Sequence, residues 1–372
     1  MKKKILFIIT SLSGGGAEKV LMTMLHHFDY ERFDVTLCVV SKHGVYVNEL
    51  PSSLKTIFVY ENPMSLFARL GFVLYSKLGI SVLERWAIRR KIREQYDTIV
   101  SFCEGRSLKF HGYATDWASR NITWVHCNLF AMHYTVGPVL SAKDEKRLYE
   151  RMDEVVFVSN GACDEFKKLG YRVKHTAVVY NPIDVGAIQK FYIEKSVDSS
   201  KFKITLCGRL IKEKAFDRIV RVAGLLKSAG YDFVVEILGE GEERKSLEGL
   251  IAQLSLNDII ILRGFVKPPY PYMAESDVFV STSVTEGYPV NICEAMCLGL
   301  PIVATRCCGN TELVGEDETF GVLTEQDDRS IYEGIVKMIS SPELRASCGC
   351  NVFEKSKSFA VEEVMKEVYA VL

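Results

Sequence analysis

Two successive series of short, uninterrupted apolar runs, each run followed by a segment of helical period, constrain this chain more than any other feature. The first series is ILFII, VTLCVV, TIVSF, ITWVH, VVFVS and TAVVY; the second is KITLCG, FVVEILG, DIIILRG, DVFVST and PIVAT. A strand that is apolar throughout has two faces to bury, and a parallel sheet covered by helices on both sides buries them. The intervening segments supply such helices: over Ala17–Phe28, the residues Val20, Leu21, Met24, Leu25 and Phe28 share one face. The alternation stops after NPIDV, where the polar run EKSVDSSK predicts a linker, and then restarts. At 372 residues the chain is too long for one ordinary core. The pattern predicts an α/β protein of two doubly wound, Rossmann-like domains, residues 1–185 and 200–357. The final segment FAVEEVMKEVYAVL predicts a helix with an apolar face for either domain.

Charge separates the halves. The net charge is −1, which does not favour non-specific nucleic-acid binding. Through Lys195 there are 27 basic and 20 acidic residues; the remainder has 19 and 27. Part of the basic excess sits in Met64–Arg93, where Arg69, Lys77, Arg85, Arg89, Arg90, Lys91 and Arg93 interleave with leucines and aromatics, and Glu84 is the only acid. This stretch is too charged to span a bilayer. It fits one or two amphipathic helices, either ordinary surface helices or helices lying on an anionic leaflet. The 11 cysteines are odd in number and lack zinc-finger spacing. The N-terminal apolar run is short and leads into glycines with no small-residue cleavage site, so a reducing cytosol is expected.

Glycine-rich turns follow the first strand of each series. Gly14, Gly15 and Gly16 join ILFIIT to a helix, where the backbone can approach a ligand and free N–H groups favour an anion. The run is neither a dinucleotide fingerprint nor a Walker loop, and a purely structural turn is the plain alternative. In ITLCGRLIKEKAFD, Gly208 allows the turn and Arg209 and Lys214 stand at its mouth, a planar fork and a mobile point charge suited to a diphosphate. ILGEGEER places a further turn at Gly239 and Gly241.

The most informative stretch is STSVTEGYPVNICEAM. Glu286 falls in a loop after a predicted strand, and Glu294 in the helix that follows. Two carboxylates so placed suit vicinal hydroxyls, as sugars and riboses present them; helix capping is the plain alternative for Glu286. The run EGYPVNICE resembles the Glu-x7-Glu motif of retaining GT-B glycosyltransferases, those of glycosyltransferase family four in particular. SLSGGGAE resembles that family's N-terminal glycine loop, VVYNPID its hinge entry, GRLIKEKAFD its phosphate clamp, and CGNTELV with the later GVL its final donor-side loop. ITWVHCN sets His126 where the family often has an active-site histidine.

The resemblance implies a GT-B fold of two Rossmann-like domains facing across a cleft, the first binding acceptor and the second a nucleoside-diphosphate sugar, with the last helix, residues 358–372, returning to the first domain. It implies that Arg209 and Lys214 hold the diphosphate and that Glu286 binds donor-sugar hydroxyls beside Gly287, Tyr288, Pro289 and Val290. Glu294 would bind the ribose. Gly15 and Gly16 would approach the phosphates and the acceptor, Gly208 would belong to the donor site, the backbone at Phe265 and Val266 would meet the base, and His126 would contact the sugar or act as a base. VKPPYPYM departs from the family there in its prolines. Uridine is the base the family most often takes.

Transfer with retention needs the departing diphosphate's charge neutralised, which Arg209, Lys214 and helix N-termini provide without a metal. No Asp-x-Asp triplet occurs, and neither metal nor other cofactor is expected. The acceptor expected is a glycan, carried on a membrane lipid, with the enzyme peripheral on the cytoplasmic leaflet through Arg69, Lys77, Arg85, Arg89 and Arg90 and acting in surface-polysaccharide assembly. The alternatives are a nucleotide-sugar epimerase of the same architecture, a nicotinamide dehydrogenase, and a non-catalytic donor-binding subunit.

Overall fold

The computed structural model describes residues 2–137, 139–193 and 201–372. The chain divides into two compact units, one of Met1–Pro182 with Val361–Leu372 and the other of Ile183–Ala360. Most of the polar run expected as a linker, residues 194–200, lies outside the described residues. Its approach is not extended: Val185–Gln189 is a helix of the second unit, capped by the Asp184 carboxylate, which accepts the Ala187 N–H at 2.9 Å.

The first unit carries seven parallel strands. They are β1 (Lys3–Ile9), β2 (Phe33–Ser41), β3 (Lys55–Tyr60), β4 (Tyr96–Ser101), β5 (Ala118–Val125), β6 (Glu154–Phe157) and β7 (Thr176–Val178), in the order β3-β2-β1-β4-β5-β6-β7. The strand order reverses between β1 and β4, which pair directly, Ile5 opposite Thr98. Such a reversal opens a crevice at the strands' carboxyl ends, where ligands of doubly wound sheets bind. Leu6, Phe7, Ile8, Leu37, Val39, Ile99 and Val100 are fully buried. Each contributes about 1.5–3 kcal/mol on leaving water.

The terminal helix Val361–Val371 belongs to this unit and buries Val361, Val364, Met365 and Val368. Tyr369 stacks on Phe33 with ring centroids 5.2 Å apart and its hydroxyl accepts the Asp29 N–H at 2.8 Å, while Thr98 donates to the Leu372 carbonyl at 2.9 Å.

The second unit carries β8 (Phe202–Cys207), β9 (Phe233–Leu238), β10 (Ile260–Gly264), β11 (Val278–Ser281), β12 (Ile302–Thr305) and β13 (Gly321–Thr324), all parallel, in the order β10-β9-β8-β11-β12-β13. Here the reversal falls between β8 and β11. Two sequence expectations need correction. CGNTELV is not a loop but the helix Cys308–Val314, and GVL is the start of strand β13.

The basic stretch forms a hairpin of two helices, Leu66–Leu78 and Val82–Lys91. Ser65 caps the first, accepting the Ala68 N–H, and Gly79, at φ 67°, ends it in the left-handed conformation that glycine adopts freely. The inward face buries Ala68, Tyr75, Ala87 and Ile88.

Candidate functional site

In the second unit the strand-order reversal brings the clamp and the paired glutamates to one end of the sheet. Arg209 follows β8 and is exposed, and among the described residues no side chain pairs with its guanidinium. Lys214 closes the short turn Lys212–Lys214. Its Nζ donates to Glu286 Oε1 at 2.5 Å, and Ser283 Oγ donates to the same oxygen at 2.6 Å. The backbones are tied as well: Thr282 donates to the Lys214 carbonyl at 2.9 Å and the Val284 N–H to the Glu213 carbonyl at 2.8 Å. Ala215, at φ 46°, then carries the chain into the helix Phe216–Ser228, a left-handed backbone unfavourable for a residue with a Cβ. The hydrogen bonds from Thr282 and Val284 hold Lys214 in place beside this strained residue.

Glycine's role differs from the sequence expectation. Gly208 does not have the positive φ of a forced turn, and a Cβ there would meet Lys214 and Phe216 at an ordinary 3.6 Å. The demand falls on Gly239, at φ 157°, where a Cβ would stand 1.8 Å from the Gly208 carbonyl oxygen, and on Gly241, where one would stand 2.2 Å from that of Leu210. The second turn is thus the floor on which the clamp turn rests.

Glu294 lies in the helix Val290–Cys297, one turn in, and is 4% exposed. The Tyr270 hydroxyl donates to its Oε1 at 3.2 Å, and the Tyr270 ring packs against Phe191 with centroids 5.7 Å apart. The proline-rich departure VKPPYPYM is the segment that places Tyr270. Just before it, directly after β10, Phe265 is exposed, and Val266 at its start is half-buried. Gly287, Tyr288 and Pro289 are buried, with the Tyr288 ring edge-on to Phe359 at 6.4 Å. Pro289 stands at the N-cap and Val290 begins the helix. Asn291 donates to the Cys207 carbonyl at 2.6 Å, joining this helix to the end of β8. Gly309 donates its N–H to the Glu286 carbonyl at 3.2 Å, and a Cβ on it would come within 2.7 Å of Gly287 O. Two polar atoms in this neighbourhood, Thr285 Oγ1 and Asn310 Oδ1, are buried with no partner among the described residues. A native protein seldom leaves such groups unmatched except where a ligand or water completes them.

The first unit's reversal carries different chemistry. Gly14 takes the left-handed φ of 95°, Gly15 is the extended N-cap, and Gly16 begins the helix Gly16–His26. Gly15, lacking a side chain, supplies no cap of its own to that terminus, whose dipole favours an anion. His126 follows β5; its backbone N–H donates to Glu104 Oε2 at 3.0 Å, and Tyr134 donates to the other oxygen. The imidazole packs on Phe102 with centroids 4.8 Å apart, and its Nε2 is buried without a partner among the described residues. Burial lowers its pKa to about 4 against the opposing pull of Glu104. The ring is therefore uncharged at neutral pH and a weak base. That favours a hydrogen-bonding role over proton abstraction.

Arg69, Lys77, Arg85, Arg89 and Arg90 sit on the hairpin. Arg89 pairs with Asp116 at 2.7 Å, which removes it from the set open to an external anion. Arg85 lies over the Tyr113 ring and Arg90 over Trp86; Arg69, Lys77, Arg85 and Arg90 have no acidic partner among the described residues. Outside the hairpin's inward face, Met64, Leu66, Leu70, Val73, Leu78, Ile80, Val82 and Trp86 are exposed, Leu66 at 82% and Trp86 at 51%. No described helix is long and apolar enough to cross a membrane, and no described group of three His, Cys, Asp or Glu residues is placed to hold a metal ion.

Sequence reasoning did not find Glu104, Ser283, Thr285 or Tyr270. Each is an isolated polar residue whose role depends on which strand ends the topology makes neighbours.

Comparison with known proteins follows the same division. Residues 14–186 match the family described as Glycosyltransferase Family 4, and residues 189–355 match Glycosyl transferases group 1. The chain is 26% identical, over all of its length and 99% of the relative, to the N-acetylgalactosamine-N,N'-diacetylbacillosaminyl-diphospho-undecaprenol 4-alpha-N-acetylgalactosaminyltransferase of Campylobacter jejuni. It is 27% identical to the capsular polysaccharide biosynthesis glycosyltransferase CapM of Staphylococcus aureus over 46% of each chain. Its fold matches Anabaena HepE, solved with UDP and glucose, with a TM-score of 0.80 at 20% identity and 99% coverage of both chains. It also matches the sucrose-phosphate synthase of Thermosynechococcus elongatus, with a TM-score of 0.81 at 16% identity over 99% of this chain and 98% of that one. With both halves matched in order, and both sheets built as the GT-B fold requires, the chain belongs to the group 1, family 4 glycosyltransferases.

Proposed function

We propose that this glycosyltransferase moves a hexose or N-acetylhexosamine, with retention and without a metal, from a UDP-sugar to a lipid-linked glycan in surface-polysaccharide biosynthesis. The observation that carries the reading is the β8/β11 reversal, where exposed Arg209 directly follows β8 and Lys214, five residues on, pairs with a Glu286 already oriented by Ser283.

As the anomeric carbon loses its bond to the diphosphate, negative charge builds on the leaving oxygens. Arg209 donates to that diphosphate through its fork, and Lys214 adds a point charge. Because Lys214 and Ser283 fix one oxygen of Glu286, the carboxylate is held ready for sugar hydroxyls beside the reacting carbon. Glu294 receives the ribose hydroxyls, and the Val266 backbone the base. The positive end of the helix after Gly15 and Gly16 meets phosphate or acceptor charge. His126, uncharged, hydrogen-bonds a sugar hydroxyl through Nε2, which has no partner among the described residues. The acceptor side is read from the first unit's hairpin: unneutralised cations beside exposed leucines and Trp86 suit an enzyme peripheral on the inner face of the plasma membrane. UDP in the HepE structure and the undecaprenol-linked substrate of the Campylobacter relative support donor and acceptor classes respectively.

The test is transfer from a panel of UDP-sugars to a synthetic polyprenyl-diphosphate sugar in the presence of a chelator, with the product's anomeric configuration read by NMR. An α-linked product from an α-donor is the expected result. A β-linked product, or interconversion of the free nucleotide sugar without acceptor, would overturn the reading.

A further inference from the structure

We propose that an open groove between β3 and the basic hairpin is a binding site for the phosphate of an anionic membrane lipid; the proposal rests on the membrane reading above and gives it a specific contact. The groove encloses about 390 Å³. Its walls are Tyr60, Phe67 and Trp86, and its cations are Arg90, Lys91 and Arg93. Phe67 and Trp86 meet edge to face, 5.4 Å between centroids, and the Arg90 guanidinium lies 5.1 Å from the Trp86 ring centroid. This contact aligns the arginine's planar fork while leaving its N–H groups to a ligand.

Charge complementarity argues for an anionic occupant. Among the described residues none of Arg90, Lys91 and Arg93 has an acidic partner; Arg93 makes only a long contact to the Arg90 carbonyl, at 3.4 Å. The neighbouring acid Glu94 is already held by Lys4 and Lys55, whose hydrogen bonds keep its pKa down at about 2. A helix C-terminus favours cations, which accounts for basic residues at Arg89–Lys91. It does not account for three aromatic walls around them.

The rim argues that the phosphate belongs to a lipid. Leu66, Leu70 and Val73 form a stripe along one face of the first hairpin helix, and all three are exposed. An apolar stripe beside a cationic, aromatic-walled groove matches the depth profile of a leaflet, with acyl chains below and phosphates above. A soluble phosphate would gain nothing from the stripe.

The test uses the full chain with phosphatidylcholine vesicles, with and without phosphatidylglycerol, read by flotation and by Trp86 emission with brominated lipid as quencher. Two triple variants remove equal charge: Arg90→Ala/Lys91→Ala/Arg93→Ala empties the groove, and Arg69→Ala/Lys77→Ala/Arg85→Ala strips the hairpin outside it. Thermal unfolding confirms that each variant folds, and Trp86→Phe supplies the fluorescence control. The expected result is a loss of at least tenfold in binding to anionic vesicles for the groove variant and only a few-fold loss for the other. Equal losses would overturn the groove and leave diffuse attraction to the leaflet. Displacement of the Trp86 signal by glycerol 3-phosphate without vesicles would overturn the lipid assignment. Failure of the wild type to bind either vesicle would instead overturn the membrane reading on which the proposal rests.

Discussion

Lys109 and Glu84 in the first unit, and Lys214 and Glu286 in the second, form ion pairs of similar length, 2.7 and 2.5 Å, in different surroundings. The first pair is sealed, its side chains 3% and 1% exposed. The Lys109 ammonium lies under the Tyr75 ring and Tyr113 donates to Glu84, so helix Val82–Lys91 is pinned to helix Arg106–His111 from within. Burial lowers the Lys109 pKa and Glu84 opposes it. The second pair stands at the carboxyl ends of β8 and β11, 21% and 12% exposed, with exposed Arg209 nearby in the chain. A sealed pair can only hold structure, whereas an accessible one beside an unneutralised cation can exchange part of its attraction for a ligand's. Burial, more than the residues themselves, separates the two roles.

The largest effect expected is on the sealed pair. Lys109→Ala leaves Glu84 buried without its charge partner and should cost about 3–5 kcal/mol in urea unfolding of the full chain. A loss under 1 kcal/mol would mean that the pair is dispensable and the comparison fails. Lys214→Ala removes charge stabilisation from the transition state and should lower the transfer rate by about 10²–10³-fold. His126→Ala, which removes one uncharged hydrogen bond, should cost roughly tenfold, as expected of a bond worth about 0.5–1.5 kcal/mol. Equal rate losses would erase the distinction between the charged site of the second unit and the neutral one of the first.

Acid sharpens the same contrast. Burial holds both His111 and His126 at about pKa 4. Their folded values lie below the unfolded one, so the stability they contribute is full above about pH 6.5 and is lost as pH falls toward 4. Within that window the unfolded chain takes up protons that the buried rings refuse, so stability falls with each unit of pH. All seven histidines precede residue 183, so amide exchange between pH 7 and 5 should show the first unit loosening before the second. Simultaneous loosening would contradict the assignment. The smallest effect is at Tyr270. Tyr270→Phe removes the hydroxyl that steadies Glu294 and should weaken UDP three- to tenfold while changing 2′-deoxy-UDP less, since a ribose hydroxyl is what Glu294 is proposed to hold.

Much of the fold was legible because burial of both sheet faces leaves an apolar run at each central strand. The strands missed lie where that signal fades. β3 is an edge strand that starts Lys-Thr and is only partly buried until Val59 and Tyr60, and β13 has four residues, of which GVL reads equally well as loop. The charged residues of the candidate site stand out through motif spacing, since Arg209, Lys214, Glu286 and Glu294 fall on one turn and one loop-helix junction. Their supports do not. Ser283 and Thr285 look like loop composition until β8 and β11 pair, and Gly239 looks like any strand-end glycine until the Gly208 carbonyl is found where a Cβ would stand.

The central claim is that the β8/β11 reversal holds a nucleoside diphosphate without a metal. Calorimetric titration of the full chain with UDP, GDP and ADP in a chelator, on wild type and Arg209→Ala, tests it most directly. UDP should bind the wild type, and the substitution should weaken it by about 10–100-fold, the range of a charged hydrogen bond. Binding of none of the three, or UDP affinity unchanged in Arg209→Ala, would contradict it.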